Sequence, residues 1–561
     1  MRNAPGRIMG EVFPAPGASA ILGPEAQGPL PLRADTTRPS GSENVMLRDV
    51  VFLICLPGAV LFSSSSASAA IAVPSNFVSE SIVTGLNLPN SLAFIPDGRI
   101  VYTEQMTGRV RLVVNGHVAP TIMLTVPSLN TSGYERGLQG VAIDPGWPSR
   151  PYVYLAYDRI GDFIRVVRYT ATGDVNSPTG ENLPLTDPAI LIDNIPDNAN
   201  NHNAGCLRFS PDGSLFVSVG EDADMCGAQD LAQLKGKLLR LRVADLPPGP
   251  RTAFRAQIIP QDNPIASPDS NTSLVWASGL RNPWRFQIDP ATLVAYVSDP
   301  GEATYEEIDE VSGGSNQGWP WREGPMVVPM PSCPEPGGSG SQQFSSPIVS
   351  VLHDGSAQAI VTAGVRRTVP GASSNWPNTY NGMVFYGDYY AGYLRRVQKN
   401  GGTWWPVAAA PGQPDATNWA TGLKSESDFV TGPDGSLYWV RQFDDTFSGA
   451  TGSLGRIRYT GPPLSAASTN GDLALSVSPN PSTAAARLGF SLAQAGNVRL
   501  EIFDLLGRRV RTLIDGPREE GRTEIVWDGS DERGGRARPG LYLARIHCNG
   551  RASVAHLLRV E

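Results

Sequence analysis

The residues best suited to chemistry lie in one stretch, Asp197-Asn-Ala-Asn-Asn-His-Asn-Ala-Gly-Cys. Its histidine, His202, is one of only five in 561 residues. Amides and small side chains surround it, so the loop is polar and His202 is poor core filler. An imidazole titrates close to neutrality and can take a proton from a hydroxyl. A ring that merely braces neighbouring turns is the competing reading. A second stretch is acidic: Asp299, Glu302, Glu306, Glu307 and Asp309 follow one another closely. Such oxygens suit a hard cation, and they equally suit a solvated loop.

These residues need a scaffold, and a repeated phrase indicates which. An apolar pair, Pro-Asp-Gly and an alternating strand occur as Leu92-Ala-Phe-Ile-Pro-Asp-Gly-Arg-Ile-Val-Tyr. The phrase returns from Leu207 and from Phe429, with looser copies at Val141-Ala-Ile-Asp-Pro and Phe286-Gln-Ile-Asp-Pro. Proline presets φ and glycine accepts positive φ, so each copy predicts a tight turn within a hairpin. A second phrase, as in Gly108-Arg-Val-Arg-Leu, Gly236-Lys-Leu-Leu-Arg-Leu, Gly392-Tyr-Leu-Arg-Arg-Val and Gly455-Arg-Ile-Arg-Tyr, reads as a later strand of the same unit. Repetition of such units over residues 72–461 predicts an all-β chain dominated by a six-bladed β-propeller. A large β-sandwich would leave the repeated phrase unexplained.

Composition agrees. The chain has 60 Gly and 49 Pro, and only 17% of its residues are charged, which suits short strands and turns and disfavours a coiled coil. The net charge of −8 is spread along the chain, so neither nucleic acid nor an anionic membrane is indicated as a partner. Residues 1–71 read as an extension plus a secretory signal. Met46-Leu-Arg-Asp precedes an apolar run from Val50 to Phe62, then small residues ending Ala67-Ser-Ala-Ala. The run is short of the roughly 20 residues a membrane span needs, Met46 is the expected start, and no other window reads as transmembrane. The expected location is outside the cytoplasm: secreted, at the cell surface or periplasmic. Cys55 falls in the signal. Cys206 and Cys226 flank one strand and its loop, so a local disulfide between them is expected; Cys333 and Cys548 remain.

Residues 462–471 are small and polar and read as a linker. Residues 472–561 read as a small β-sandwich. Their landmarks are Pro479-Asn-Pro, Asp504-Leu-Leu-Gly-Arg, Val526-Trp-Asp-Gly and Pro539-Gly-Leu-Tyr. This segment resembles the Ig-like C-terminal domains of the FlgD-like and type IX secretion-sorting kind. The resemblance implies a role in export or surface attachment.

Within the propeller, six motifs occur in order: Gly137-Leu-Gln-Gly-Val-Ala-Ile-Asp-Pro, Asn201-His-Asn-Ala-Gly, Ala228-Gln-Asp-Leu with Gly236-Lys-Leu-Leu-Arg, Gly279-Leu-Arg-Asn-Pro, Glu307-Ile-Asp-Glu-Val and Asn316-Gln-Gly-Trp-Pro. Together they resemble the glucose/sorbosone dehydrogenase family of soluble, PQQ-dependent, six-bladed sugar dehydrogenases. The resemblance implies that His202 is the general base on a sugar's anomeric hydroxyl, with hydride passing to the quinone. It implies a cofactor side formed by Gln229, Arg281, Asn282, Glu135 and Asn201, with Arg281 stabilising charge on a quinone oxygen or carboxylate. It also implies calcium held near Gly301 and Glu302.

Departures from the family pattern stand beside these matches. Glu135 replaces a cofactor-side Gln, and Asn201 replaces the Asp before the catalytic His, removing a charge that would stabilise an imidazolium. Tyr390 stands where a cofactor-binding Lys is expected, and Ser425 and Ser427 stand where two Arg are expected. A tricarboxylate such as PQQ would lose much electrostatic anchoring there. The pattern resembles divergent relatives, including the hedgehog-interacting-protein-like branch. Two functions follow: an exported PQQ-dependent aldose dehydrogenase that acts on a sugar and passes electrons to an acceptor, or a non-catalytic propeller that binds carbohydrate or protein at the cell surface.

Overall fold

A computed structural model of the chain describes residues 70–560, apart from 329–332, 334–342, 445–448, 462–472, 474, 479–481, 484, 493, 505–507 and 550. The signal region with Met46 and Cys55, the linker, and the Pro479-Asn-Pro and Leu505-Leu-Gly landmarks lie outside the described residues.

Each Pro-Asp-Gly phrase makes the turn its chemistry dictates. Around Asp97, Asp212 and Asp434 the strands pair as Phe94↔Ile100, Phe209↔Leu215 and Thr431↔Leu437. Each aspartate accepts the backbone N–H two residues on, at 2.9–3.1 Å, and the glycines have φ of +97°, +81° and +81°.

Every such hairpin joins the innermost strand of a blade to the next. The six innermost strands are Pro89–Phe94, Leu138–Ile143, Ala204–Phe209, Arg285–Ile288, Ile360–Val365 and Glu426–Thr431. Each begins one sheet, antiparallel throughout except where Ala189 and Ile190 pair parallel with Arg251 and Thr252, and neighbours pack side by side in chain order, with the last returning to the first. The result is a six-bladed propeller. The ring is closed by Phe77–Leu86, which pairs antiparallel with Gly452–Tyr459 and so adds the outermost strand to the last blade.

The inner strands approach too closely for side chains at some points. A Cβ on Gly140 would lie 2.3 Å from the Gly205 carbonyl oxygen. Between blades, alternating residues form apolar layers, such as Val101, Leu112, Val141 and Leu155, or Phe385, Leu394, Trp419 and Trp439. Each fully buried aliphatic or Phe side chain there contributes about 1.5–3 kcal/mol. Polar groups bind the ring at its centre. The buried Asp428 accepts from the Ser91 hydroxyl and the Leu92 N–H and pairs with Arg208. Arg285 donates to the Asn90 carbonyl and to its side-chain oxygen.

Near the C-terminus, two sheets form a sandwich of the Ig-like type. One contains Ser476–Ser478, Ala486–Leu492 and Gly521–Trp527; the other contains Gly496–Asp504, Arg509–Arg518, Gly540–Cys548 and Arg551–Arg559. Alternation turns Val498, Leu500 and Ile502 inward against Leu488, Phe490, Trp527 and Ile546. Among the described residues, no helix is long and apolar enough to cross a membrane.

The disulfide differs from the expected local one. Cys226 pairs with Cys333, their Cα atoms 5.3 Å apart. Cys206 sits on an innermost strand, fully buried against Phe216, Leu238 and Phe286, and is free. Alternation along that strand turns its thiol into the space between blades, away from the loop that carries Cys226.

Candidate functional site

The candidate residues lie just ahead of successive innermost strands: Glu135 before Leu138, His202 before Ala204, and Arg281 with Asn282 before Arg285. Because the inner strands share one direction around the ring, those loops gather at one end of the channel.

His202 is held by backbone and side chain together. Its φ is +59°, and Ala204, Asp222 and Ala223 are also left-handed, at +51°, +58° and +52°. Such conformations cost energy in residues with a Cβ and persist only where surroundings enforce them. The enforcement is visible. Asp222 accepts the Ala199 N–H at 2.6 Å and the Asn198 amide at 2.9 Å, and its own N–H donates to the His202 carbonyl at 3.3 Å. Gly220 leaves room for that carbonyl, which would lie 1.9 Å from a Cβ there. Arg136 clamps the same loop, donating to the Asp197 carboxylate at 2.9 Å and to its carbonyl at 2.5 Å.

The His202 ring, almost fully buried, meets the Glu221 carboxylate through Nδ1. Glu221 was not identified from the sequence, yet a signal for it exists. Ala204 pairs with Val219 across the Pro-Asp-Gly hairpin. Two residues before Ala204 is His202, and two residues after Val219 is Glu221, so the register sets them opposite each other. Glu221 therefore brings to the ring the carboxyl group that Asn201 lacks; Asn201 itself is half-buried.

Glu135 connects three blades. Its Oε2 accepts the His202 backbone N–H at 2.7 Å and the Asn282 amide at 3.2 Å. Asn282 and Arg281 are fixed by Asp299, whose two oxygens accept their N–H groups at 2.6 and 2.8 Å. The Arg281 guanidinium lies over Trp319, 5.5 Å from the ring centroid, donates to the Pro300 carbonyl at 2.9 Å and pairs with Glu302. Among the described residues, its Nε–H and the Trp319 indole N–H are buried without partners. Both residues line a cleft with Pro300, Gly301, Glu307 and Glu323. His202 and Glu135 do not line that cleft; the adjacent Arg281 and Asn282 link the two places. The cleft has room for little more than a water, and its two orphaned donors would suit a single acceptor oxygen.

Gln229 is engaged at both ends of its amide. It donates to Asn316 at 3.0 Å and to the Trp319 carbonyl at 2.5 Å, and accepts from Asn316 at 2.8 Å. The solvated reading of the acidic run fails for most of it, because Asp299, Glu306, Glu307 and Asp309 are buried. They occupy paired strands, Ala295–Asp299 and Tyr305–Val311, with Asp299 directly opposite Glu307. Burial pushes Asp299 up to about 6 and Glu307 up to about 8, and Asp309 well above the carboxylate range. Only Glu302 is exposed.

Of the two residues expected to hold calcium, Glu302 is already engaged by a cation of the chain. Glu302 and the Pro300 carbonyl face Arg281. The N–H groups of Glu302, Ala303, Thr304 and Tyr305 converge on Glu323 Oε1 at 2.7–3.1 Å. Gly301 lies against the Tyr305 carbonyl, which would stand 1.8 Å from a Cβ.

Of the five departures, the three at expected cation positions pack as structure. Tyr390 stacks edge-on against Tyr389 at 5.1 Å, and burial, with the Glu135 charge, raises its hydroxyl above the usual range. Ser425 is buried at φ +63°, and Ser427 donates to the Asn90 carbonyl at 2.9 Å. Lys424 is exposed beside them, its stem against Gly392.

Residues 86–327 match the glucose/sorbosone dehydrogenase family model, and residues 476–549 match the FlgD Ig-like domain. The HIPL1 protein of Arabidopsis thaliana is 35% identical over 160 residues, 27% of this chain and 23% of that protein. The aldose sugar dehydrogenase YliI of Escherichia coli is 28% identical over 272 residues, 48% of this chain and 66% of that protein. The chain thus spans less than two thirds of the length of these curated relatives. The PQQ-bound aldose sugar dehydrogenase of Streptomyces coelicolor shares the fold, with a TM-score of 0.50 at 24% identity over 69% of this chain and 99% of that one. The propeller is therefore similar over residues 86–327 to the glucose/sorbosone dehydrogenase family, and the C-terminal sandwich is similar over residues 476–549 to the FlgD Ig-like domain.

Proposed function

We propose that the chain is an exported, PQQ-dependent aldose dehydrogenase that oxidises a sugar hydroxyl and passes the electrons to an external acceptor. The observation that carries this reading is the His202–Glu221 contact, joined through Glu135 to Asn282 and Arg281.

The chain's own residues have separable tasks. His202 Nε2, the ring nitrogen opposite the Glu221 contact, takes the proton of the anomeric hydroxyl. Glu221 orients the ring through Nδ1 and stabilises the positive charge that the proton brings. Glu135 fixes the His202 backbone relative to Asn282, so the base and the cofactor side move as one unit. The orphaned Nε–H of Arg281 and the indole N–H of Trp319 would hold an acceptor oxygen of the cofactor. PQQ, when bound, supplies a two-electron acceptor for the hydride. Calcium is not part of the proposal, because the oxygens of Pro300 and Glu302 face Arg281.

Export is supported by the Cys226–Cys333 disulfide, which forms in oxidising compartments. The FlgD Ig-like domain would serve sorting or surface attachment. A second reading, a non-catalytic propeller that binds carbohydrate or protein, is favoured by the packing of Tyr390, Ser425 and Ser427 where cations would stand.

The test is reconstitution of the full chain with PQQ, with and without calcium, followed by dye reduction with a panel of aldoses. Binding and turnover are expected, and His202→Ala should abolish turnover while sparing PQQ affinity. No PQQ binding at micromolar concentration would leave the second reading; unchanged turnover in His202→Ala would refute the base assignment.

A further inference from the structure

We propose that the Arg281 guanidinium is the resident cation of the loop Asp299–Glu302, so that this end of the channel takes no divalent ion and binds its quinone without one.

The argument is one of polarity. A calcium ion needs about 6–8 oxygens turned toward one point. In this loop the side-chain oxygens of Asp299 and Glu302 and the Pro300 carbonyl are already engaged, far short of a cage. The Pro300 carbonyl accepts from Arg281 at 2.9 Å, and the Glu302 carboxylate pairs with the same guanidinium. Both Asp299 oxygens accept backbone N–H groups of Arg281 and Asn282. The next four residues turn their N–H groups inward, and those groups converge on one oxygen of Glu323. Successive N–H groups around one point make an anion-binding nest, the opposite of a cation cage, and here a carboxylate of the chain fills it.

Charge balance points the same way. Arginine stays protonated in proteins, so its charge is permanent. Trp319 holds the guanidinium from one face, and Asp299 anchors its backbone. Of the remaining carboxyls, Glu307 accepts from the Gly324 N–H, and both Asp309 oxygens are buried without partners among the described residues.

The inference rests on the proposed function only where PQQ is the probe. Three measurements on the full chain test it: metal content after dialysis against EDTA, melting temperature with and without calcium chloride, and PQQ affinity with and without calcium. The expected result is no stoichiometric metal and no change in melting temperature or PQQ affinity on adding calcium. Retention of one calcium per chain, or an affinity gain of about tenfold or more with calcium, overturns the inference. Arg281→Ala should free the Pro300 and Glu302 oxygens and gain melting temperature from calcium. Glu302→Gln, which keeps the fold's charge-free contacts, should remain indifferent to calcium. A folded Arg281→Ala chain that gains nothing from calcium also overturns the assignment. PQQ binding that requires calcium sinks this inference and leaves the dehydrogenase reading intact; absence of PQQ binding in both conditions sinks that reading, while the metal and melting measurements still decide this one.

Discussion

Replacing both Cys226 and Cys333 by Ala should lower the stability of the propeller by several kcal/mol. The bridge spans 107 residues, running from the turn just before Gln229 to the segment beyond Trp319. Cross-linking a loop of that length removes about 16 cal/mol/K of chain entropy from the unfolded state, or about 4.8 kcal/mol at 25 °C. A ring of roughly 380 residues that unfolds as one unit has a melting entropy of about 0.8 kcal/mol/K, so the loss corresponds to about 6 °C. The assay is thermal unfolding of the wild type, the wild type in reductant, and the double variant. The wild type in reductant and the double variant should melt together, well below the oxidised wild type, and reductant should not move the double variant. Equal melting of oxidised wild type and double variant would refute the reasoning, because the bridge would then constrain nothing that the blades do not already fix.

Two further outcomes follow from the site. Glu221→Gln keeps the shape beside His202 and removes the charge, so turnover should fall about a hundredfold or more with PQQ affinity retained; wild-type turnover would show that the contact only positions the ring. The buried carboxyls Asp197, at about 7, and Glu307, at about 8, are raised by burial and stay protonated in the native chain where the unfolded chain has ionised. The native state therefore binds more protons between the ordinary carboxylate range and those values, and stability should fall as pH rises from about 4 to about 8. Melting temperatures measured across that range check this, and Glu307→Gln should flatten the decline; a melting temperature that climbs with pH contradicts it.

Much of this was legible because it is local. Pro-Asp-Gly has one low-energy way to turn, so the hairpins around Asp97, Asp212 and Asp434 follow from the residues themselves, and their repetition implies radial blades. His202 stood out because a polar Asn-rich loop leaves an imidazole little else to do. Glu221 was within reach by counting register outward from Pro211-Asp-Gly, since antiparallel pairing converts sequence distance into position.

Other features required the folded chain. Cys226 pairs with Cys333 rather than with its sequence neighbour Cys206, because strand alternation buries Cys206 between blades while a distant insertion reaches Cys226. The acidic run is buried because Asp299, Glu307 and Asp309 fall on paired strands whose partners come from elsewhere in the blade. Spacing alone does not show that a guanidinium faces Pro300 and Glu302, nor that four N–H groups close on Glu323. The sequence by itself determined the turns, the repeat and the residue that can carry a proton, because short-range sterics and chemistry decide those. Which charges meet across the channel, and that a guanidinium faces Pro300 and Glu302, only the tertiary structure decided, because those contacts join residues that folding, not sequence spacing, brings together.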